Sequence, residues 1–234
     1  DLLFNRQRHA QAAFSRTIVE PGDRRRLAII APGGDADIAR IGADPVRHVE
    51  ADPAQPIDMG FGPAVAREVE AITQLLPQAY SFLDEQATIE LLRSQAPHSR
   101  IVHLACHGLF RDDNPAFSAL KLGDGWLSAG DVLNLEFHAA LVMLSACESQ
   151  RGQDHSGDEI VGLTRAFLGA GAATLIASLW LAQDETTALL ASTFYSNIAQ
   201  SHSPAAALRS AQLHLKAAYP HPYYWAAFVV VGHA

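Results

Sequence analysis

With 234 residues, 49% of them apolar, the chain is long enough for one sizeable domain, or two small ones, with a full core. A formal net charge of −8 argues against a nucleic-acid backbone as the main partner and suits a basic peptide or protein substrate. Two cysteines, Cys106 and Cys147, make no disulfide framework and point to a reducing cytoplasm, and no apolar run reaches the roughly 18 residues of a membrane span.

No signal peptide opens the chain. It starts at Asp1 rather than Met, which reads as a piece of a longer polypeptide. Residues 1–26 form a separate preamble, a candidate end of an upstream module. They hold the only basic stretch (Arg6, Arg8, Arg16, Arg24, Arg25 and Arg26), which suits a solvated helix face and loop or a docking surface. The main domain then spans 27–234. Leu27–Ile30 reads as a buried strand ended by Pro32-Gly33-Gly34, and 32–62 as mostly loop. The spacing of Val65, Val69, Ile72 and Leu76 predicts a helix over Pro63–Leu76. A strand at Tyr80–Leu83 and a helix at Gln86–Ser94 follow.

Ile101–Cys106 and Leu141–Ala146 are apolar strands. Between them, Gly123-Asp124-Gly125 marks a hairpin, and Ser128 with Asp131 resembles a capping box. Beyond them come a helix at Ile160–Leu168 stopped by Gly169 and Gly171, and a strand at Thr174–Leu179. Helices at Glu185–Ala199 and Pro204–Ala217 and a strand at Phe228–Val231 complete the chain. Strands apolar throughout and alternating with helices imply a mostly parallel sheet covered on both faces, a three-layer α/β sandwich.

Sites in such sheets gather at the carboxyl ends of the strands. Ile101–Cys106 delivers His107 there, and Leu141–Ala146 delivers Cys147. The intervening residues 107–140 exceed the dozen or so that a crossover needs, so the two strands can be parallel neighbours. An imidazole beside a thiol is the pairing that nucleophilic catalysis requires. A cysteine at a strand end is also an ordinary small core residue, and spacing alone leaves both readings open. Cys106 competes as nucleophile, but side chains alternate along a strand, so it points away from His107 and reads as buried and inert. His103 reads as a satisfied strand histidine. His103-Leu-Ala-Cys-His107 lacks the further ligands of a haem or zinc site, so neither metal nor cofactor is expected. No phosphate-binding loop or Gly-x-Ser-x-Gly elbow is present.

The segments His103-Leu-Ala-Cys-His-Gly-Leu-Phe110 and Leu144-Ser-Ala-Cys-Glu-Ser149 resemble the two catalytic motifs of the CHAT-domain family, in the caspase-like clan with caspases and separases. Ala87-Thr88, Gly157-Asp-Glu-Ile-Val-Gly-Leu163, Ala166-Phe-Leu-Gly-Ala-Gly171, Ala177-Ser-Leu-Trp180, Phe194-Tyr195 and Tyr224-Trp-Ala-Ala-Phe228 fit the same pattern in order, covering about Pro63 to Gly232. The resemblance implies a caspase-like fold and peptide-bond cleavage, with His107 as general base and acid and Cys147 as nucleophile. The backbone N–H groups of Gly108 and Cys147 would form the oxyanion hole. It also implies a bacterial source in most cases and TPR repeats or another sensing module upstream.

Ser178-Leu-Trp180 followed by Asp184 resembles the strand and loop of the separase specificity pocket, in which an acid accepts an arginine. Asp184 suits that role and, equally, the N-cap of the helix that follows. Asp112, Asp113, Glu148, Asp154 and Asp158 would add negative field around the mouth, or stand as solvated loop residues. Rival readings are a catalytically silent interaction module of the same fold, an acyl hydrolase, which would want the absent elbow, and a nucleic-acid sensor, which the charge disfavours.

Overall fold

A computed structural model of the chain describes residues 26–31, 63–76, 79–111, 114–138, 141–148, 160–180 and 184–233. Of the preamble, only Arg26 falls within this set. In chain order the elements are β1 (Arg26–Ala31), α1 (Pro63–Leu75), β2 (Ala79–Leu83), α2 (Ile89–Gln95), β3 (Ser99–Leu109), β4 (Ala119–Leu122), β5 (Gly125–Ser128) and α3 (Ala129–Val132). They continue as β6 (Leu141–Glu148), α4 (Ile160–Gly169), β7 (Thr174–Ser178), α5 (Asp184–Ala199), α6 (Pro204–Ala218), α7 (Pro222–Trp225) and β8 (Phe228–Gly232).

The sheet runs β2-β1-β3-β6-β7-β8. Its first five strands are parallel, and β8 returns antiparallel to β7. The β4–β5 hairpin joins as an antiparallel branch at the carboxyl end of β3, where Gly108 pairs with Leu120 and Leu109 with Ala119. Alternation along the strands sorts the core into two layers. Val102, Leu104, Cys106, Val142, Leu144, Leu175 and Ala177 pack with Leu92 of α2, Val132 of α3 and Leu163 and Phe167 of α4. On the opposite face, Ala105, Leu141, Met143 and Ile176 pack with Ile72 of α1, Phe194 and Tyr195 of α5 and Leu208 of α6. The result is the expected three-layer α/β sandwich. Each fully buried Leu or Phe contributes about 1.5–3 kcal/mol to holding the layers together.

Local chemistry sets the element ends. Helix α2 starts later than Gln86. Thr88 is extended (φ −95°, ψ 159°) and its hydroxyl accepts from the Leu91 N–H, which is N-cap geometry. Asp124, in the tight turn of the hairpin, accepts from the Ile89 N–H at 2.7 Å and so ties the β4–β5 branch to α2. Ser128 and Asp131 form the anticipated capping box. The Ser128 hydroxyl and then its N–H, both donating to the Asp131 carboxylate, hold that carboxyl below its usual range. After α4 the chain turns at Gly171 (φ +102°), where a Cβ would run into the Phe137 carbonyl oxygen, so only glycine fits.

Candidate active site

Strands β3 and β6 are longer than their apolar runs. Instead of ending at Cys106 and Ala146, the ladder continues through His107↔Cys147 and Gly108↔Glu148. The extension has a physical cause. Pairing of β1 with β3 stops at Leu104, and β4 takes over that edge at Gly108 while β6 holds the other. Gly108 thus has register partners on both sides, with His107 held by β6 and Leu109 by β4, whatever their side chains.

His107 and Cys147 are thus register partners in adjacent parallel strands, which lie about 4.8 Å apart. Position 107 belongs to the odd-numbered face of β3, with His103 and Ala105, beneath α1 and α5. Position 147 falls in the odd-numbered set of β6, with Leu141 and Met143, on that same face. His107 is half-buried. Gly108 is buried, and the ring of Phe110 folds back so closely that a Cβ at 108 would overlap it. Cys106 is fully buried among the apolar side chains of the opposite face, as alternation predicts.

The specificity candidates sit on the neighbouring strand. Ser178 closes β7 and is buried. Counting on from the Leu144↔Ala177 pair, it is level with Ser145, two positions short of Cys147. Trp180 follows, 37% exposed, and its indole N–H donates to the Tyr223 carbonyl at 3.0 Å. That contact fixes the indole edge. Tyr223 carried no signal in the sequence, because a backbone carbonyl serves for any residue. Helix α5 begins at Asp184 itself, one residue earlier than expected. The side chains of Cys147, Glu148 and Asp184, and residues 112, 113, 154 and 158, lie outside the described set.

Beneath the His107 position is a buried polar cluster that sequence reasoning largely missed. His103 is fully buried, with Nδ1 3.0 Å from the Tyr195 hydroxyl and Nε2 3.4 Å from Glu68 Oε1. Glu68 is itself only 4% exposed. Burial depresses the His103 pKa from 6.5 to about 3, so the ring is neutral at physiological pH. Burial, and then the Glu68 carboxylate, push the Tyr195 hydroxyl well above its ordinary value. The ring is hydrogen-bonded to Tyr195 through Nδ1, while Nε2 and Glu68 Oε1 stand close without a hydrogen bond between them. One signal was available. Glu68 lies three residues after Val65 and four before Ile72, which puts an acid on the apolar stripe of a helix. Among the described residues no group of three or more His, Cys, Asp or Glu side chains could hold a metal, and no helix is long and apolar enough to cross a membrane.

Comparison with known proteins agrees with this architecture. The family model described as CHAT domain matches residues 6–233. Tetratricopeptide repeat protein 28 of Homo sapiens is 27% identical over 214 residues, covering 74% of this chain and 8% of that protein. Its Mus musculus counterpart is 33% identical over 214 residues, covering 74% and 9%. The chain therefore spans less than a tenth of the curated relatives it matches, and both are mammalian, which gives the expected bacterial source no support. Among solved structures, the Arg-specific cysteine proteinase gingipain R superposes with a TM-score of 0.63 at 13% identity, over 98% of this chain and 51% of that one. Saccharomyces cerevisiae separase, in its complex with securin, gives 0.56 at 12%, over 97% and 13%. At such identities the likeness is one of fold, and with the family match it shows that the chain belongs to the CHAT domain family and has the caspase-like fold.

Proposed function

We propose that this chain is a cysteine endopeptidase domain that cleaves a protein substrate after a basic residue, with Cys147 as nucleophile and His107 as general base and acid. The observation that carries the reading is the register pairing of His107 with Cys147 in neighbouring parallel strands. In the first step His107 takes the Cys147 thiol proton, and the thiolate attacks the scissile carbonyl carbon. The N–H groups of Gly108 and Cys147 hold the resulting oxyanion, a kind of contact often worth about 3 kcal/mol in the transition state. His107 then protonates the departing amine, leaving a thioester on Cys147. Water, deprotonated by His107, releases the acid and regenerates the thiol.

Ser178, Trp180 and Asp184 form the pocket for the side chain before the scissile bond. Asp184 accepts a guanidinium or ammonium there, a charge pairing that neutral side chains cannot replace. The net charge of −8 and the Arg specificity in the name of gingipain R support a basic substrate. In the full-length protein a sensing module, of the tetratricopeptide-repeat kind named in the relatives, controls the domain. No cofactor enters the scheme, and the reduced thiol that it needs suits the cytoplasm.

Proteome-wide mapping of new chain ends, comparing wild type with Cys147→Ala, tests this function. Ends that arise only with the wild type, and mostly follow Arg or Lys, are expected. Identical profiles for the two forms would remove the peptidase and leave an interaction module. Cuts mostly after acidic or apolar residues would remove the basic specificity alone.

A further inference from the structure

The polar groups of Glu68, His103 and Tyr195 come from three separate elements, α1, β3 and α5, and meet inside an apolar layer. Around them stand Val69, Ile72, Ala105, Met143 and Phe194, all buried. Phe194 meets the Tyr195 ring edge-on at 5.0 Å, and the His103 and Tyr195 rings are 5.8 Å apart. Apolar contacts alone are non-directional, and they let a helix slide on a sheet at small cost. A buried hydrogen-bonding group is different. It must find its partner at the right distance and angle or carry the full desolvation penalty. The Tyr195–His103 hydrogen bond is therefore made in one relative placement of β3 and α5, and α1 brings Glu68 to 3.4 Å from the same ring.

Those elements flank the candidate site. His103 and His107 share one face of β3, two pleats or about 13 Å apart, on a strand that pairs with β6 from Ile101 through Gly108. Helix α5 starts at Asp184, directly after the segment that carries Trp180. We propose that Glu68, His103 and Tyr195 are positioning residues for the reaction centre. The Tyr195–His103 hydrogen bond and the close approach of Glu68 to His103 Nε2 hold α5 and α1 on β3, and so set His107 relative to Cys147 and to the start of α5. This role rests on the peptidase reading given above. Burial keeps the His103 ring neutral near pH 7, so its hydrogen bond with Tyr195 persists across the physiological range.

The test is the alkylation rate of Cys147 by chloroacetamide in the full-length protein, followed by mass spectrometry of the modified peptide. Wild type is compared with His107→Ala, Tyr195→Phe, His103→Leu and His103→Gln, each well below its own melting temperature. If the dyad reading holds, His107→Ala slows the reaction. If the positioning role holds as well, Tyr195→Phe and His103→Leu slow it about fivefold or more, the size of a modest change in hydrogen-bonded geometry. His103→Gln, which keeps a donor and an acceptor, restores most of the rate. A purely structural role would lower melting temperatures and leave the Cys147 rate alone. Wild-type rates in Tyr195→Phe and His103→Leu, with His107→Ala slow, would overturn the positioning role and spare the peptidase. An unchanged rate in His107→Ala would remove the dyad reading and the positioning role with it. Should Tyr195→Phe fail to fold, His103→Leu makes the same comparison with the same two outcomes.

Discussion

Acidification should cost this fold stability through His103 in particular. The ring is fully buried and its pKa falls from 6.5 to about 3 on folding, because the surrounding apolar layer disfavours the charged form. Between those two values the unfolded chain holds one proton that the folded chain refuses. Stability therefore rises with pH through this window. The contribution is complete above about pH 6.5 and is lost progressively as the pH falls toward 3, at about 1.4 kcal/mol per unit. At pH 5.0, about 1.5 units below the unfolded value, the loss relative to neutrality comes to about 2 kcal/mol. The perturbation is His103→Gln, which fills the site with a group that does not titrate. Urea unfolding of both proteins at pH 7.5 and pH 5.0 supplies four free energies. The variant should be the less stable at pH 7.5, since glutamine meets Tyr195 on a longer and more flexible side chain than the imidazole does. The gap should narrow by about 2 kcal/mol at pH 5.0, because only the wild type pays to exclude the proton. A gap that stays constant between the two conditions would refute the picture of a buried neutral imidazole.

Three further outcomes follow from the geometry. Gly162→Ala places a Cβ against the Pro115 carbonyl, which is backbone and cannot swing aside, so α4 must shift; a loss of about 1–3 kcal/mol in urea unfolding is expected. Cys106→Ala removes a buried thiol from the layer opposite His107 and should cost about 1 kcal/mol of stability while cleavage persists, as peptide kinetics would show. Asp184→Asn should lower kcat/KM for Arg substrates about tenfold or more with the melting temperature unchanged; unaltered kinetics would reduce Asp184 to a helix-end residue, since Asn serves there equally well.

The apolar runs at Leu27–Ile30, Ile101–Cys106, Leu141–Ala146 and Thr174–Leu179 sufficed to locate the central strands, because a nearly unbroken apolar run has no polar alternation to place it on a half-exposed sheet. Their carboxyl ends were less legible. His107-Gly108-Leu109 carries no strand signal of its own and is held extended by β6 at His107 and Gly108 and by β4 at Gly108 and Leu109. Nothing local announces that β8 runs antiparallel, nor that Pro222–Trp225 makes one helical turn, since both depend on how the chain returns from α6. Of the site, alternation alone was enough to turn Cys106 away from His107. The pairing of His107 with Cys147 came from resemblance, because spacing permits adjacency without requiring it. The contact between His103 and Tyr195 joins residues 92 positions apart, and no periodicity records such a meeting.

The central claim is a Cys147–His107 dyad that cuts peptide bonds. Its most direct test is the kcat/KM for an Arg-containing peptide, measured with the full-length protein as wild type, Cys147→Ala and His107→Ala. Both substitutions should lower it by at least about a thousandfold, to a common floor, because members of a catalytic unit fail together. Cleavage that survives in Cys147→Ala, or that falls only when Cys106 is replaced, would contradict the account.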